Sequence, residues 1–400
     1  MVNDRWGQFK GYWIEFPNFL AILIFSMYFL LPSPILLDIS KDTGLSTANL
    51  SLMFTLFIVG GITGQLTSVF YSRRFKRLHI IIVAFGSLIP ITLIFLFFNV
   101  SLILFYILYF LAGYILGLLW IQANANVFES KVKNKDRLTT VALTFYPIGA
   151  FFAPMIASSI VKNNLNWKGI YIVLLVLIVV TLILYIINGK KMGSSMVESE
   201  KNVAISEIFK NKYNNILLLL VTISIITYCL AEAVISTWAP TFYRMARLFN
   251  VQEAGFIGST FWGSIIVGRV LVGFLAGRVK NYIIMLSLAA IAAISIIFAV
   301  FMQEKIMVYI SIFFTGIGFS GLFPLLVSSG NKIFPRGKDL IATILFAAAN
   351  IGISLAPFLT RIISENNLNW SILISSIFMM TSFLFIVAQS IMAKNRGMDL

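Results

Sequence analysis

Glu232 and Arg269 are the two charged residues that lie well inside long apolar stretches of the sequence. A carboxylate in hydrocarbon surroundings costs roughly 2.5 kcal/mol or more, so it normally serves a purpose. Glu232 suits a site that binds and releases protons, or an acceptor for hydroxyl or amino groups of a ligand; the alternative is a structural hydrogen bond to a neighbouring helix. Arg269 suits an anion site or, as the favoured interpretation, a side chain that ties helix ends together.

Amide side chains form a second candidate set. Gln122, Asn124 and Asn126 follow closely on one segment. An amide both donates and accepts hydrogen bonds, which suits ligands rich in hydroxyl groups and zwitterionic ligands. Gln122 and Asn126 are four residues apart and can share a helix face, whereas Asn124 points elsewhere. The pattern predicts either the lining of a binding cavity or ordinary asparagines near a helix end.

Three tryptophans complete the candidates for ligand contact. Trp120, Trp238 and Trp262 lie in or beside apolar stretches, where an indole ring can stack on a sugar or another ring. Tryptophan is also a common anchor at the membrane surface. The anchor role is favoured for Trp238, which lies near the end of its stretch.

Enzymatic chemistry finds little support in the sequence. Cys229 is the only cysteine, which excludes an intrachain disulfide and a paired-cysteine metal site. His79 is the only histidine. The sequence therefore gives little support for a histidine-rich metal centre or a triad of catalytic residues. We expect no enzyme activity, no metal and no cofactor.

The composition indicates that lipid surrounds these candidates. The 400 residues are 59% apolar and only 11% charged, and the mean hydropathy is +0.94. Soluble domains carry about 25% charged residues. The net charge of +15 comes from short clusters between the apolar runs, which is not the continuous basic face of a nucleic-acid-binding protein. The sequence predicts an all-α membrane protein.

Twelve membrane spans are predicted, because about 20 apolar residues cross a hydrocarbon core of about 30 Å. Numbered 1 to 12, they cover residues 16–38, 49–71, 79–98, 102–125, 139–161, 169–189, 214–242, 253–275, 281–302, 306–329, 340–363 and 370–392. The 14 residues before Glu15 are polar and aromatic, and the apolar run that follows is too long for a cleavable signal peptide.

The basic residues predict the orientation of the spans. With the amino terminus inside, cytoplasmic segments hold 22 of the 30 lysines and arginines and external segments hold seven, with Arg269 within a span. Such a bias favours two cytoplasmic termini. We expect a multi-pass protein of a bacterial plasma (inner) membrane.

The pentapeptide NNLNW occurs at residues 163–167 and again at 366–370, an offset of 203. At that offset residues 142–167 match 345–370 at ten of 26 positions. The offset covers six spans, an even number, so it predicts a parallel repeat of two six-helix halves. The predicted organisation is an N-terminal half, 1–189, a polar cytoplasmic linker, 190–213, and a C-terminal half, 214–400.

Two loops resemble a known signature at equivalent points of the halves. Residues 68–77 read SVFYSRRFKR and residues 273–278 read GFLAGR, which resembles the G-x-x-x-D-R-x-G-R-[RK] pattern of the major facilitator superfamily. The resemblance implies twelve helices around a central cavity and a cytoplasmic gate whose residues hold helix ends together. These gate residues would be Arg73, Arg74, Lys76, Arg77, Gly273 and Arg278. Since both stretches lack the acid, we expect a gate held more by packing and easier to open.

Within that superfamily, three stretches resemble the fucose–galactose–proton symporters and their TsgA-like relatives. They are QANANVF at 122–128, AEAVISTWAP at 231–240 and FWG…GR at 261–269. Gln122 stands where those symporters carry an acid for proton coupling. Tyr146 and Asn350 lie on spans 5 and 11, which border the cavity in this superfamily, so the resemblance implies that both line it.

The leading hypothesis is a secondary active or facilitative transporter that moves a small polar solute by alternating access. The solute would be a sugar, an amino acid or a similar nutrient, with proton coupling through Glu232. The alternatives are a drug or metabolite exporter of the same fold and, ranked last, a membrane sensor that binds a solute without moving it. Expected partners are the solute, protons and lipid, with no nucleic acid; a monomer is expected.

Overall fold

The computed structural model describes residues 2–130, 132, 135–189, 209–275, 277–335 and 338–396. These residues form helices and short loops and contain no extended strand. Twelve of the described helical segments are long and apolar enough to cross a membrane, which confirms the predicted fold class. The predicted linker, 190–213, lies outside the described residues except at 209–213.

The observed helices follow the predicted spans closely. In order they are Val2–Leu30 and Leu36–Thr43 (span 1), Thr47–Arg74 (span 2), Arg77–Phe97 (span 3), Leu102–Glu129 (span 4), Lys135–Lys162 (span 5), Gly169–Asn188 (span 6), Lys212–Ala246 (span 7), Val251–Leu275 (span 8), Asn281–Phe301 (span 9), Lys305–Phe319 and Leu322–Ile333 (span 10), Lys338–Asn366 (span 11) and Trp370–Lys394 (span 12). Most ends differ from the prediction by a few residues, since helices continue into the polar flanks beyond the apolar run.

The structure differs most clearly from the predicted bounds at span 1. Its helix begins at Val2 rather than at residue 16 and ends at Leu30, before Pro32 and Pro34, which cannot supply helical N–H groups. A second segment then runs to Thr43. Hydropathy indicates which residues lie in lipid and not where a helix starts, so the prediction left out about four polar and aromatic turns that the helix includes.

Span 10 is broken where the prediction had a single helix. The first segment ends at Phe319 and the second begins at Leu322. Pro324 lies in the first turn of the second segment, where its missing N–H is tolerated, whereas its ring would clash with the carbonyl of Ser320 in a continuous helix. The break places irregular backbone inside an apolar segment.

The chain divides into two compact units, residues 1–198 and 199–400. In the first unit the closely packed pairs include spans 1 and 5, 2 and 4, and 3 and 6; in the second they include spans 7 and 11, 8 and 10, and 9 and 12. Each pair in the second unit is therefore the first-unit pair with six added to both span numbers. This repeat of packing confirms the two-half architecture.

Glycines at repeat-related positions make the same contacts in both units. A Cβ on Gly149 would lie 2.7 Å from the carbonyl oxygen of Leu23, and one on Gly352 would lie 2.3 Å from that of Ile226. Leu23 and Ile226 are themselves 203 residues apart. The helix crossing of spans 1 and 5 is thus reproduced by spans 7 and 11, and small residues allow both.

Gln389 on span 12 offers a test of the packing in the second unit. Its side chain is fully buried, and among the described residues neither its Nε2 nor its Oε1 has a hydrogen-bond partner. An unpartnered buried amide costs about 1–3 kcal/mol. We therefore expect Gln389→Leu to raise the melting temperature of the purified protein.

The control for Gln389→Leu is Gln65→Leu, which makes the same change at a half-buried glutamine of span 2. It should change the melting temperature much less. Equal shifts for the two variants would show that the missing hydrogen bonds of Gln389 carry no particular cost.

Candidate functional site

Glu232 lies inside span 7 and is half-buried. The hydroxyl of Tyr228, one helical turn earlier, hydrogen-bonds its carboxylate. The same hydroxyl lies 3.2 Å from the carbonyl oxygen of Phe319, at the break in span 10. The structure therefore connects the one acid that the sequence placed in a span to an irregular point of the backbone.

Arg269 on span 8 is exposed. Among the described residues it forms no ion pair with Glu232, yet its charge acts electrostatically on both Glu232 and Tyr228. The two charges are therefore near enough to interact without forming an ion pair among the described residues. A cation at such a distance stabilises a carboxylate while leaving its oxygens open to a proton or a ligand.

Gln122 bridges spans 2 and 4. Its Nε2 donates to the hydroxyls of Ser68, at 2.7 Å, and Ser72, at 2.9 Å, and only 1% of the residue is exposed. These two serines replace the glycine and the aspartate of the family signature, and Gln122 replaces an acid of span 4. The three residues that depart from the family pattern, Ser68, Ser72 and Gln122, thus form one uncharged hydrogen-bonded contact. In this structure Gln122 therefore packs between two helices, and its part in lining a solute cavity stays a prediction.

Asn126 and Asn124 also bond within the first unit. Asn126 is 6% exposed, accepts from Arg77 at 3.2 Å and donates to Asn18 at 3.0 Å. Asn124 is half-buried and donates to the carbonyl oxygen of Trp120 at 2.8 Å. The shared helix face predicted for Gln122 and Asn126 therefore packs against other helices rather than facing open space.

Trp120 and Tyr146 come together in the first unit. Their ring centroids are 5.9 Å apart, and Phe25 of span 1 lies 5.3 Å from Trp120 and 6.2 Å from Tyr146. Trp120 and Tyr146 are both half-buried, so each ring keeps accessible surface. This aromatic cluster, made of Phe25, Trp120 and Tyr146, joins spans 1, 4 and 5.

The remaining candidates, Trp238, Trp262 and Asn350, lie in the second unit. Trp238 is 1% exposed, and its Nε1 donates to the hydroxyl of Ser371 at 2.8 Å. The anchor role predicted for Trp238 is wrong, because an anchor must reach the membrane surface. Trp262 is 2% exposed beside Phe261. Asn350 is half-buried on span 11.

Among the residues predicted to form the gate, Arg77 differs most from the others in its surroundings. Arg73, Arg74 and Lys76 are exposed, as are Gly273 and Arg278 of the second loop. Arg77 instead is buried and forms two hydrogen bonds with Glu129 at the end of span 4, at 2.6 and 2.8 Å. The expectation of a first gate without an acid is wrong, because span 4 supplies the carboxylate that the signature lacks.

The sequence prediction missed a buried polar group around Asn18. Its oxygen accepts from Tyr185 at 2.7 Å and from Asn126, and its Nδ2 donates to Glu15 at 2.8 Å. Glu15 and Asn18 are 4% and 0% exposed. Glu15 lies in the apolar segment Gly11–Thr43, so Glu232 is not the only acid inside a span. The spacing of three residues between Glu15 and Asn18, which puts them on one helix face, was the available signal.

Two equivalent six-helix units, each with polar side chains buried between apolar spans, define a multi-pass membrane protein. The chain belongs to the Major Facilitator Superfamily, whose family model matches residues 19–357. The resemblance read from the signature loops is confirmed, and this family comprises transporters rather than enzymes.

Two curated relatives and one solved structure illustrate the similarity. The chain is 21% identical to a Protein TsgA homolog of Buchnera aphidicola subsp. Baizongia pistaciae, over 90% of each chain. It is 22% identical to the glucose/mannose transporter GlcP of Bacillus subtilis, over 82% of this chain and 81% of GlcP. The crystal structure of a D-xylose-proton symporter superposes with a TM-score of 0.75 at 14% identity, over 94% of this chain and 96% of the symporter.

Proposed function

We propose that this protein is a proton-coupled transporter of a sugar-like solute that works by alternating access. The observation that carries the proposal is the half-buried carboxylate of Glu232 inside span 7, bonded to Tyr228 and close to the charge of Arg269. An ionisable group kept within a membrane span is a functional residue by default. Coupling needs a group that gains and loses a proton as the transporter changes conformation.

Hydrogen counting shows how a proton on Glu232 would change the protein. Tyr228 has one hydroxyl hydrogen and faces two acceptors, the Glu232 carboxylate and the Phe319 carbonyl. When Glu232 is ionised, that hydrogen goes to the carboxylate. When Glu232 is protonated, its own O–H can donate to Tyr228, whose hydrogen is then released to Phe319. Proton binding would thereby form a hydrogen bond at the break in span 10.

The aromatic cluster supports a sugar-like solute. Trp120 and Tyr146 keep accessible ring surface at the junction of spans 1, 4 and 5, and aromatic faces stack on the apolar face of a sugar ring. The names of a glucose/mannose transporter among the relatives and of a xylose–proton symporter among the similar folds point to the same class of solute. The protein would take up such a solute together with a proton.

The orientation belongs to the same proposal. The charge bias of 22 to seven basic residues supports two cytoplasmic termini. In a bacterial inner membrane, where the proton gradient points inward, a symporter of this orientation would import its solute. One chain contains both halves of the repeat, so a monomer suffices for alternating access.

We expect Glu232→Gln to separate exchange from accumulation. Proteoliposomes with the wild-type protein should accumulate a labelled hexose or pentose above equilibrium when the outside is acidic. The variant should keep counterflow of the same sugar to within about threefold, yet lose accumulation, because a neutral amide binds no proton. Uptake and counterflow in the same vesicles measure both effects.

Glu365→Gln is the matched control, since Glu365 is an exposed acid on span 11. It should accumulate sugar like the wild-type protein. Full accumulation by Glu232→Gln would remove Glu232 from the coupling. Absence of counterflow with every sugar, together with greater drug tolerance of cells that overproduce the protein, would favour the exporter alternative.

A further inference from the structure

The group around Asn18 has a fixed direction of hydrogen bonding. Arg77 can only donate, so Asn126 must turn its oxygen to Arg77 and its NH2 to Asn18. Asn18 then accepts through its oxygen and donates its NH2 to Glu15. In this series of hydrogen bonds, the Glu15 carboxylate is the end that accepts without donating. We call Arg77, Asn126, Asn18 and Glu15 the amide relay.

The far side of Glu15 has a partner of a different kind. The side chain of Ser130, which is 3% exposed and follows Glu129 directly in the chain, interacts with the Glu15 carboxyl group. A hydroxyl donates to an ionised carboxylate and accepts from a protonated one. Glu15 can therefore gain or lose a proton while both of its contacts remain satisfied, which is unusual for a buried acid.

The charges around Glu15 do not neutralise it by contact. Arg77 on span 3 is bound bidentately by Glu129 on span 4 and reaches Glu15 only through the relay. Span 6 contributes the Tyr185 hydroxyl, and Arg137 on span 5 is exposed. On span 1 the only other titratable side chain nearby in the described part is Tyr12, half-buried one turn earlier. Arg77 is thus linked to two carboxyl groups, directly to the partly exposed Glu129 and through the relay to the buried Glu15.

We infer that Glu15 is a second proton-binding site, linked through the amide relay and through Ser130 to the Arg77–Glu129 ion pair of the gate. Ionised Glu15 polarises the amides of Asn18 and Asn126 and competes with Glu129 for the positive charge of Arg77. A proton on Glu15 removes that competition, so the ion pair tightens. The site would make closure of the gate depend on the proton concentration at that end of the unit, independently of Glu232.

Infrared titration of the carboxyl C=O band of the purified protein in nanodiscs tests this inference. We expect a titrating band that disappears in Glu15→Gln and persists in Glu232→Gln, so failure of this site and of the proposed coupling acid can be told apart. Asn126→Leu should move the midpoint of the band to higher pH by about one unit, because the relay no longer carries the influence of Arg77 to the carboxylate.

Tyr185→Phe provides a second test of the inference if Glu15→Gln does not fold. It removes only the hydroxyl that donates to Asn18, and it should also shift the midpoint. Glu365→Gln should leave the band unchanged. A spectrum of Glu15→Gln identical to that of the wild-type protein, or an unmoved midpoint in both Asn126→Leu and Tyr185→Phe, would overturn the inference.

Discussion

Replacing Gly113 by alanine should prevent spans 2 and 4 from packing. A Cβ at this position would lie 2.0 Å from the carbonyl oxygen of Phe57 and within 2.8 Å of two further backbone atoms. Backbone cannot rotate away as a side chain can, so the helices would have to separate by about 1 Å, and overpacking of this kind costs about 1–3 kcal/mol or more. We expect a large fall in melting temperature and in the yield of monodisperse protein.

Gly86→Ala is the matched control on span 3, because a Cβ there meets nothing within 4 Å. In the middle of a helix this change alone favours folding by roughly 0.5–1 kcal/mol. Fluorescence-detected size exclusion and thermal denaturation of both variants compare the two sites. If Gly113→Ala were as stable as Gly86→Ala, the close approach of spans 2 and 4 would be absent from the protein.

The fold could be predicted from the sequence because lipid imposes a simple rule. Backbone groups in hydrocarbon must bond within their own helix, so every long apolar run becomes a helix. The repeat at an offset of 203 residues then required equivalent packing in the two halves, which Gly149 and Gly352 display. The rule does not place helix ends in polar sequence, and span 1 was cut short for that reason.

The site was harder to predict because partners from different helices are not visible in one sequence. The type of each residue suggested what Gln122 and Asn126 can bond, yet both bond to other spans. Glu129 was overlooked because it lies at a span end, where acids are ordinary, although it forms an ion pair with Arg77. Glu232 could be identified from the sequence because an acid in an apolar run is recognised by its residue type alone, without knowledge of its partner.

The ion pair of Arg77 and Glu129 should be the most sensitive polar contact of the first unit. Arg77→Met leaves Glu129 without its cation and deprives Asn126 of a donor. Removal of one partner of a buried pair costs about 3–5 kcal/mol. We expect a loss near the lower end of that range, because 31% of the Glu129 side chain stays exposed. Thermal denaturation in detergent measures it.

The double variant Arg77→Met/Glu129→Gln should be more stable than Arg77→Met alone, since it leaves no unpaired carboxylate at the pair. Arg361→Met is the control on span 11: its pair with Glu365 is 3.9 Å long, and the two side chains are 34% and 58% exposed. Such surface pairs contribute about 0–1 kcal/mol. Equal losses for Arg77→Met and Arg361→Met would mean that water already screens the Arg77 pair. The predicted gate would then be held mainly by packing, as the lack of an acid in the signature loops suggests.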